Sequence, residues 1–295
     1  MTAPTSTHEA HRYDASTTFR DAPTRTLRVG DIDVAYRVLG PRTGVPVIFL
    51  THLAAVLDNW DPRVVDGIAA ERQVFAFDNR GVGASTGSTP RTIEAMAQDA
   101  VAFIEALGFE QVDLLGFSMG GMIAQVIAAE HPQLVRKLIL AGTGPAGGEG
   151  ITKVTRLSHL DTLRGLLTLQ DPKQFLFFTR TPTGRRAGKA FLARLKERTA
   201  DRDKRIAVRA YLAQLEAIHR WGKQAPADLS VIHQPTLVAN GEADRMVPTS
   251  NSVDLARRLP NAELVIYPDA GHGGIFQFHD PFVERANAFL AGSPS

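Results

Sequence analysis

The chain has 295 residues, enough to bury a large core, and its 33 basic and 31 acidic side chains nearly balance at a net charge of +2. Without a cysteine it can build neither a disulfide framework nor a thiolate metal site. No apolar run reaches the roughly 18 residues a spanning helix needs, and the N-terminus carries no apolar signal core, so a cytoplasmic protein without membrane contact is expected.

Residues 1 to 24 are rich in Thr, Ala, Asp and Pro with little apolar periodicity, which predicts a flexible arm with no chemistry. From residue 25 to 146 strand-like runs alternate with helical patterns, the signature of a mostly parallel sheet covered on both faces. Within it, Val112 to Leu115 reads as a buried strand and Met122 to Ala129 as a helix. Between them stands Gly116-Phe117-Ser118-Met119-Gly120. A serine hydroxyl is a poor nucleophile at neutral pH and needs exposure, a base and donors for a developing oxyanion. A sharp strand-to-helix turn exposes the hydroxyl and aims backbone amides at it, with Ser118 as nucleophile and the Met119 N–H as one oxyanion donor. The pentapeptide alone also fits a glycine-rich turn with a solvent-facing serine.

The next strand, Leu134 to Ala141, leads into Gly142-Thr143-Gly144 and offers no acid. From 147 to 234 the alternation stops and helical stretches take over, among them Ala187 to Arg198 and Ile206 to Trp221. In the second, Val208, Tyr211, Leu212, Leu215 and Ile218 recur at three- and four-residue spacing and mark one apolar face. This segment reads as a helical cap inserted into the body. Between 151 and 224 it holds 17 Lys or Arg against 6 Asp or Glu, a balance of +11, so the rest of the chain carries about −9. Basic faces attract polyanions, but the charges here are scattered through amphipathic helices with no aromatic stacking platform, so no nucleic-acid partner is expected. A basic lid seated on an acidic body accounts for the asymmetry, and steering of an anionic substrate is a further possibility.

Beyond the cap, Thr236 to Asn240 reads as a buried strand whose exit loop, Gly241 to Pro248, holds Asp244. Glu263 to Tyr267 is the next strand, and the loop Pro268-Asp269-Ala270-Gly271-His272-Gly273-Gly274 follows it. Exit loops of a parallel sheet gather at one edge, so Ser118, Asp244 and His272 can converge despite their separation in sequence. The order Ser, Asp, His is the one a strand-to-helix serine requires. His272 would relay the Ser118 proton, and Asp244 would hold the imidazole tautomer without being protonated. Asp244 could instead serve as a turn aspartate ahead of a helix near Asn251 to Arg258, and His272 could be an ordinary loop histidine. Glu242 and Asp269 are rival acids. Asp269 precedes His272 so closely that the turn tends to aim it away.

With these residues the sequence resembles the α/β-hydrolase superfamily over about residues 25 to 292. Further likenesses are Phe77-Asp78-Asn79-Arg80-Gly81-Val82-Gly83-Ala84-Ser85, similar to the family's D-x-R-G-x-G-x-S turn, and Val47 to Thr51, similar to its third strand. The resemblance implies an eight-stranded, mostly parallel sheet with a core of residues 25–146 and 235–295 and a cap of residues 147–234. Among subfamilies it is most similar to lid-bearing esterases, lactonases and cofactor-free perhydrolases. One departure is the loop His52-Leu53-Ala54-Ala55, where leucine replaces the family's usual glycine. Counting forward from His52 makes Ala54 the second oxyanion donor, and counting back from Asn59-Trp60 makes it Leu53. His52 itself resembles a loop-ordering residue.

A serine nucleophile excludes the alkyl-ester chemistry of carboxylate-bearing dehalogenases and epoxide hydrolases. The expectation is therefore a serine esterase or lactonase without metal or organic cofactor, acting on a small apolar or aromatic substrate. Perhydrolysis, cleavage of a carbon–carbon bond beside a ketone, and a ligand receptor on the same fold are the alternatives. Phe175, Phe177, Phe178, Tyr211 and Trp221 are expected to roof the pocket, with Leu53, Met119, Met122 and Met246 on its floor. A monomer, or a homodimer paired through the long cap helix, is expected.

Overall fold

The computed structural model describes residues 16–292. Eight strands form one sheet: β1 (Arg25–Val29), β2 (Ile32–Leu39), β3 (Val47–Leu50), β4 (Val74–Phe77), β5 (Val112–Phe117), β6 (Val135–Ala141), β7 (Thr236–Gly241) and β8 (Ala262–Tyr267). Their spatial order is β1-β2-β4-β3-β5-β6-β7-β8. β2 pairs antiparallel with β1 and β4, and every other pairing is parallel. The central strands are buried at every position, Val-Ile-Phe-Leu in β3 and Val-Phe-Ala-Phe in β4, as a sheet covered on both faces requires.

Alternate residues of these strands feed two separate cores. Ile48, Leu50 and Leu114 pack beneath α2 (Ile93–Ala106), α3 (Met119–Glu130) and α8 (Ser250–Arg258). Val47, Phe49, Leu115 and Phe117 pack beneath α1 (Pro62–Ala69), α9 (Gly274–Gln277) and α10 (His279–Ala291). The period of two along each strand thus divides one apolar run between two faces. No helix among the described residues is long and apolar enough to cross a membrane.

Between β6 and β7 the chain runs through α4 (Val154–Thr168), α5 (Lys173–Phe177), α6 (Pro182–Arg194) and α7 (Val208–Lys223). The helix expected over Ala187 to Arg198 begins earlier, because the Thr181 hydroxyl accepts from the Gly184 N–H and Pro182 occupies the first helical position. The basic character of this segment is used at its seat. Arg194 clamps Asp61 with both its Nε and Nη2, the closest contact being 2.6 Å, and Asp61 also caps α1. Asp58, buried in the body, accepts from Arg37 at 2.8 Å and from Arg202 at 3.2 Å. Arg63 and Glu197 add an exposed pair at 2.8 Å.

The arm expected to be flexible divides in two. Residues 1–15 lie outside the described residues. Phe19 and Ala22 are buried, the Phe19 N–H donates to Asp66 at 2.6 Å, and Arg198 donates to the carbonyls of Arg20 and Ala22 at 2.8 Å. Two apolar anchors and the Arg198 guanidinium therefore hold residues 16–24 in place, a contact that local composition does not encode.

Candidate active site

Three strand ends build the site. Ser118 follows β5 directly and adopts φ 57° and ψ −116°, a backbone region costly for any residue with a Cβ. Its N–H donates to Ala141 O and its carbonyl accepts from Thr143 Oγ1, both at 2.8 Å, so neighbouring β6 holds the turn in place. The flanking glycines are required by close approach: a Cβ on Gly116 would lie 2.4 Å from Gly120 O, and one on Gly120 would lie 1.8 Å from Leu50 O. His272, in the loop after β8, places Nε2 2.9 Å from Ser118 Oγ and Nδ1 2.7 Å from Asp244 Oδ2. All three side chains are buried.

Asp244 plays two parts at once. Its Oδ1 accepts from the N–H groups of Met246 and Val247 at 2.8 and 3.0 Å, the turn role, while Oδ2 faces the imidazole. The rival acids are occupied elsewhere. Asp269 accepts from the hydroxyls of Thr179 and Thr181 at 3.0 and 2.9 Å, and Glu242 accepts from the Asp269 N–H at 3.2 Å. The His272 ring lies between Phe117 and Phe177 of α5, with centroids 5.0 and 5.4 Å away.

The loop after β3 separates the two candidate donors. The Ala54 N–H donates to Gln214 Oε1 of α7 at 2.8 Å, and Ala54 sits at φ 62°. The N–H groups of Leu53 and Met119 donate to no group among the described residues. His52 is buried and its imidazole pKa is pushed down to about 3 by burial, with the Lys173 charge adding to the effect. It is therefore neutral, and Nδ1–H donates to Leu53 O at 2.8 Å, which leaves Nε2 without a partner among the described residues. One peptide unit, Leu53 C=O with Ala54 N–H, is thus held at both ends.

These groups open onto a cavity of about 160 Å³ lined by the serine and imidazole. Leu53, Met122, Phe177, Tyr211 and Met246 line it as expected, and Ala54 lines it too; Met119, expected on its floor, is buried and does not line it, because its side chain packs into the core beneath α3. Three expected roof residues do not line it. Phe178 turns into the core against Phe191, with centroids 5.5 Å apart. Phe175 lies under the Arg164 guanidinium, 4.1 Å from its ring centre. Trp221 is buried with its indole N–H on Gly144 O at 3.2 Å. Sequence reasoning missed Val154, Ser158 and Thr162, which α4 presents to the cavity. Their four-residue spacing was the available signal. Lys173 and Asp171 also line the cavity, 3.7 Å apart. Among the described residues no three His, Asp or Glu side chains group to hold a metal ion.

A family model described as the alpha/beta hydrolase fold matches residues 45–278. The chain belongs to the alpha/beta hydrolase family. One solved structure of this family, an alpha/beta hydrolase fold protein from Chitinophaga pinensis, is 39% identical, with a TM-score of 0.90 over 94% of this chain and 100% of its own. A Mycobacterium tuberculosis protein named as a non-heme bromoperoxidase, BpoC, is 27% identical over 83% of this chain and 93% of its own length. The 2-hydroxy-6-oxononadienedioate/2-hydroxy-6-oxononatrienedioate hydrolase of Klebsiella pneumoniae is 30% identical over 79% of this chain and 80% of its own.

Proposed function

We propose that this alpha/beta hydrolase cleaves a carboxylic ester or lactone through an acyl-enzyme on Ser118. The observation that carries the reading is His272, bonded to Ser118 Oγ through one ring nitrogen and to Asp244 through the other, at the wall of a largely apolar cavity. Nε2 takes the Ser118 proton as Oγ attacks the carbonyl carbon, and the oxyanion so formed accepts from the Met119 and Leu53 N–H groups. Of the two loop candidates Leu53 is preferred, because the Ala54 N–H is committed to Gln214. The imidazolium, stabilised by ionised Asp244, returns the proton to the leaving oxygen. Water then repeats the sequence on the acyl-enzyme and frees the acid. Leu53, Met122, Ile218 and Met246 favour an apolar acyl or alcohol group.

Similarity to BpoC supports a second reading, in which hydrogen peroxide replaces water in the second half-reaction and leaves as a peroxyacid. A panel of p-nitrophenyl esters of graded acyl length, with aliphatic and aromatic lactones, tests the first reading, and peroxide-dependent halogenation on the same preparation tests the second. Ser118→Ala is expected to lower turnover by about 10⁴-fold or more while the protein stays folded. Undiminished activity in that variant refutes the assignment. Fluorophosphonate labelling at Ser118 with no turnover on any ester or lactone would favour a receptor.

A further inference from the structure

Helix α4 is folded inside out. Its buried positions are Val154, Ser158, Asp161 and Gly165, a small and polar face; of its leucines Leu157 packs against the core, while Leu160, Leu163, Leu166 and Leu167 point away from the protein. Exposure rises from 52% at Leu160 and 54% at Leu163 to 70% and 78% at Leu166 and Leu167, and reaches 95% at Leu169 just beyond the helix. An amphipathic helix packed on a body normally shows the reverse arrangement. The face continues onto α7, where Val208 and Leu212 are also exposed and an open groove of about 640 Å³ runs between the two helices. Contiguous apolar surface of this kind marks an interaction site.

Charge decides what covers it. The sole carboxylate of α4, Asp161, is buried and paired with Arg245. The basic residues Lys153 and Arg156 are exposed at the start of the helix, and Arg164 is half-buried along it. The outward side of α4 joins leucine to base with no exposed acid of its own, and Glu216 across the groove is held by Arg91 and Arg220, so the patch is apolar with a basic rim, which suits an anionic lipid surface. A second copy fits poorly, because cap-to-cap pairing would bring two segments of balance +11 together. We propose that the α4 face of the cap docks onto an anionic lipid–water interface, with the leucines in the acyl boundary and the basic residues among the headgroups. Val154, Ser158 and Thr162 on the other side of the same helix line the cavity, so docking brings that cavity to the interface. This departs from the expectation of no membrane contact, which weighed hydrophobic run length and not which side of α4 is buried.

The test is co-sedimentation of the full chain with vesicles of phosphatidylglycerol and phosphatidylcholine in equal parts, and with phosphatidylcholine alone. Binding is expected on the anionic vesicles, weakened by salt as the Debye length shortens. Leu163→Glu with Leu167→Glu should lower it by about 50-fold or more, since each leucine withdrawn from the acyl boundary loses a full burial contribution. Lys153→Gln with Arg156→Gln should lower it by about 20-fold, at roughly five-fold per basic residue. Both variants should keep the wild-type circular dichroism and thermal midpoint, because none of the four side chains packs in the core. Absence of binding, equal binding to neutral vesicles, or a micromolar dimer dissolved by the leucine variant would each overturn the proposal.

Discussion

Gln214 offers the sharpest test of how the cap serves the chemistry. It is fully buried on α7, its Oε1 accepts the Ala54 N–H at 2.8 Å, and its Nε2 has no partner among the described residues. The amide cannot be reversed, since a donor would then face a donor. Ala54 stands at φ 62°, where a residue with a Cβ pays about 1–2 kcal/mol, and that cost is met by the bond to Gln214 together with the His52 bond to Leu53 O. Gln214→Leu removes the acceptor and leaves a part-buried N–H without its partner, worth about 1–3 kcal/mol at most, which the loop escapes by relaxing. Relaxation moves the adjacent Leu53 N–H. Complete loss of one oxyanion donor costs about 10²–10³ in kcat, so a displaced donor should cost about 10- to 100-fold, with KM within about threefold. Stability should fall by only about 1 kcal/mol, because the variant also deletes the unpaired amide nitrogen. Adding Ala54→Gly removes the backbone strain and should restore part of the lost kcat. The assay is steady-state kinetics on the best ester of the panel. A Gln214→Leu enzyme with kcat within twofold of wild type, or with its loss wholly in KM, refutes the reasoning.

Two further predictions concern strain and titration. Ser118→Gly should be more stable than Ser118→Ala by about 1 kcal/mol in chemical denaturation, as glycine alone accepts φ 57°, ψ −116° freely, and neither variant should turn over substrate. Asp78 has its pKa pushed up to about 8 by burial, reinforced by the nearby Asp203 charge. Between the unfolded value near 4 and about 8 the folded state holds a proton that the unfolded state releases, so the contribution of Asp78 is full below that window and is lost as pH rises through it. Asp78→Asn should therefore narrow the difference in denaturation midpoint between pH 5 and pH 8, and an unchanged difference would show that Asp78 is ionised in the fold.

The sheet and the serine turn were legible because each depends on local pattern. Apolar runs in β3, β4, β5 and β7 are broken at once by glycine or polar loops, and the exit loops carry the serine, carboxylate and imidazole in the required order. What could not be read depends on contacts distant in sequence. The choice between Leu53 and Ala54 turns on Gln214, 160 residues away. Phe175, Phe178 and Trp221 are aromatic cap residues like Phe177 and Tyr211, and periodicity does not tell which helix face meets the cavity. In α4 the pattern points the opposite way, since its leucines suggest an inward face that the fold gives to Ser158 and Asp161.

The link from α5 to α6 is stitched to the loop that carries His272. Thr179 and Thr181 bind the Asp269 carboxylate, and the Gly273 N–H donates to Phe177 O at 2.8 Å. This half of the roof is hung on the same short stretch of chain that carries His272. The other half is moored just as directly, α4 through Asp161 to Arg245 beside Asp244, and α7 through Gln214 to Ala54, so each panel of the roof is tied to a different loop of the site and a shift of any one of them is felt by the side chains beneath.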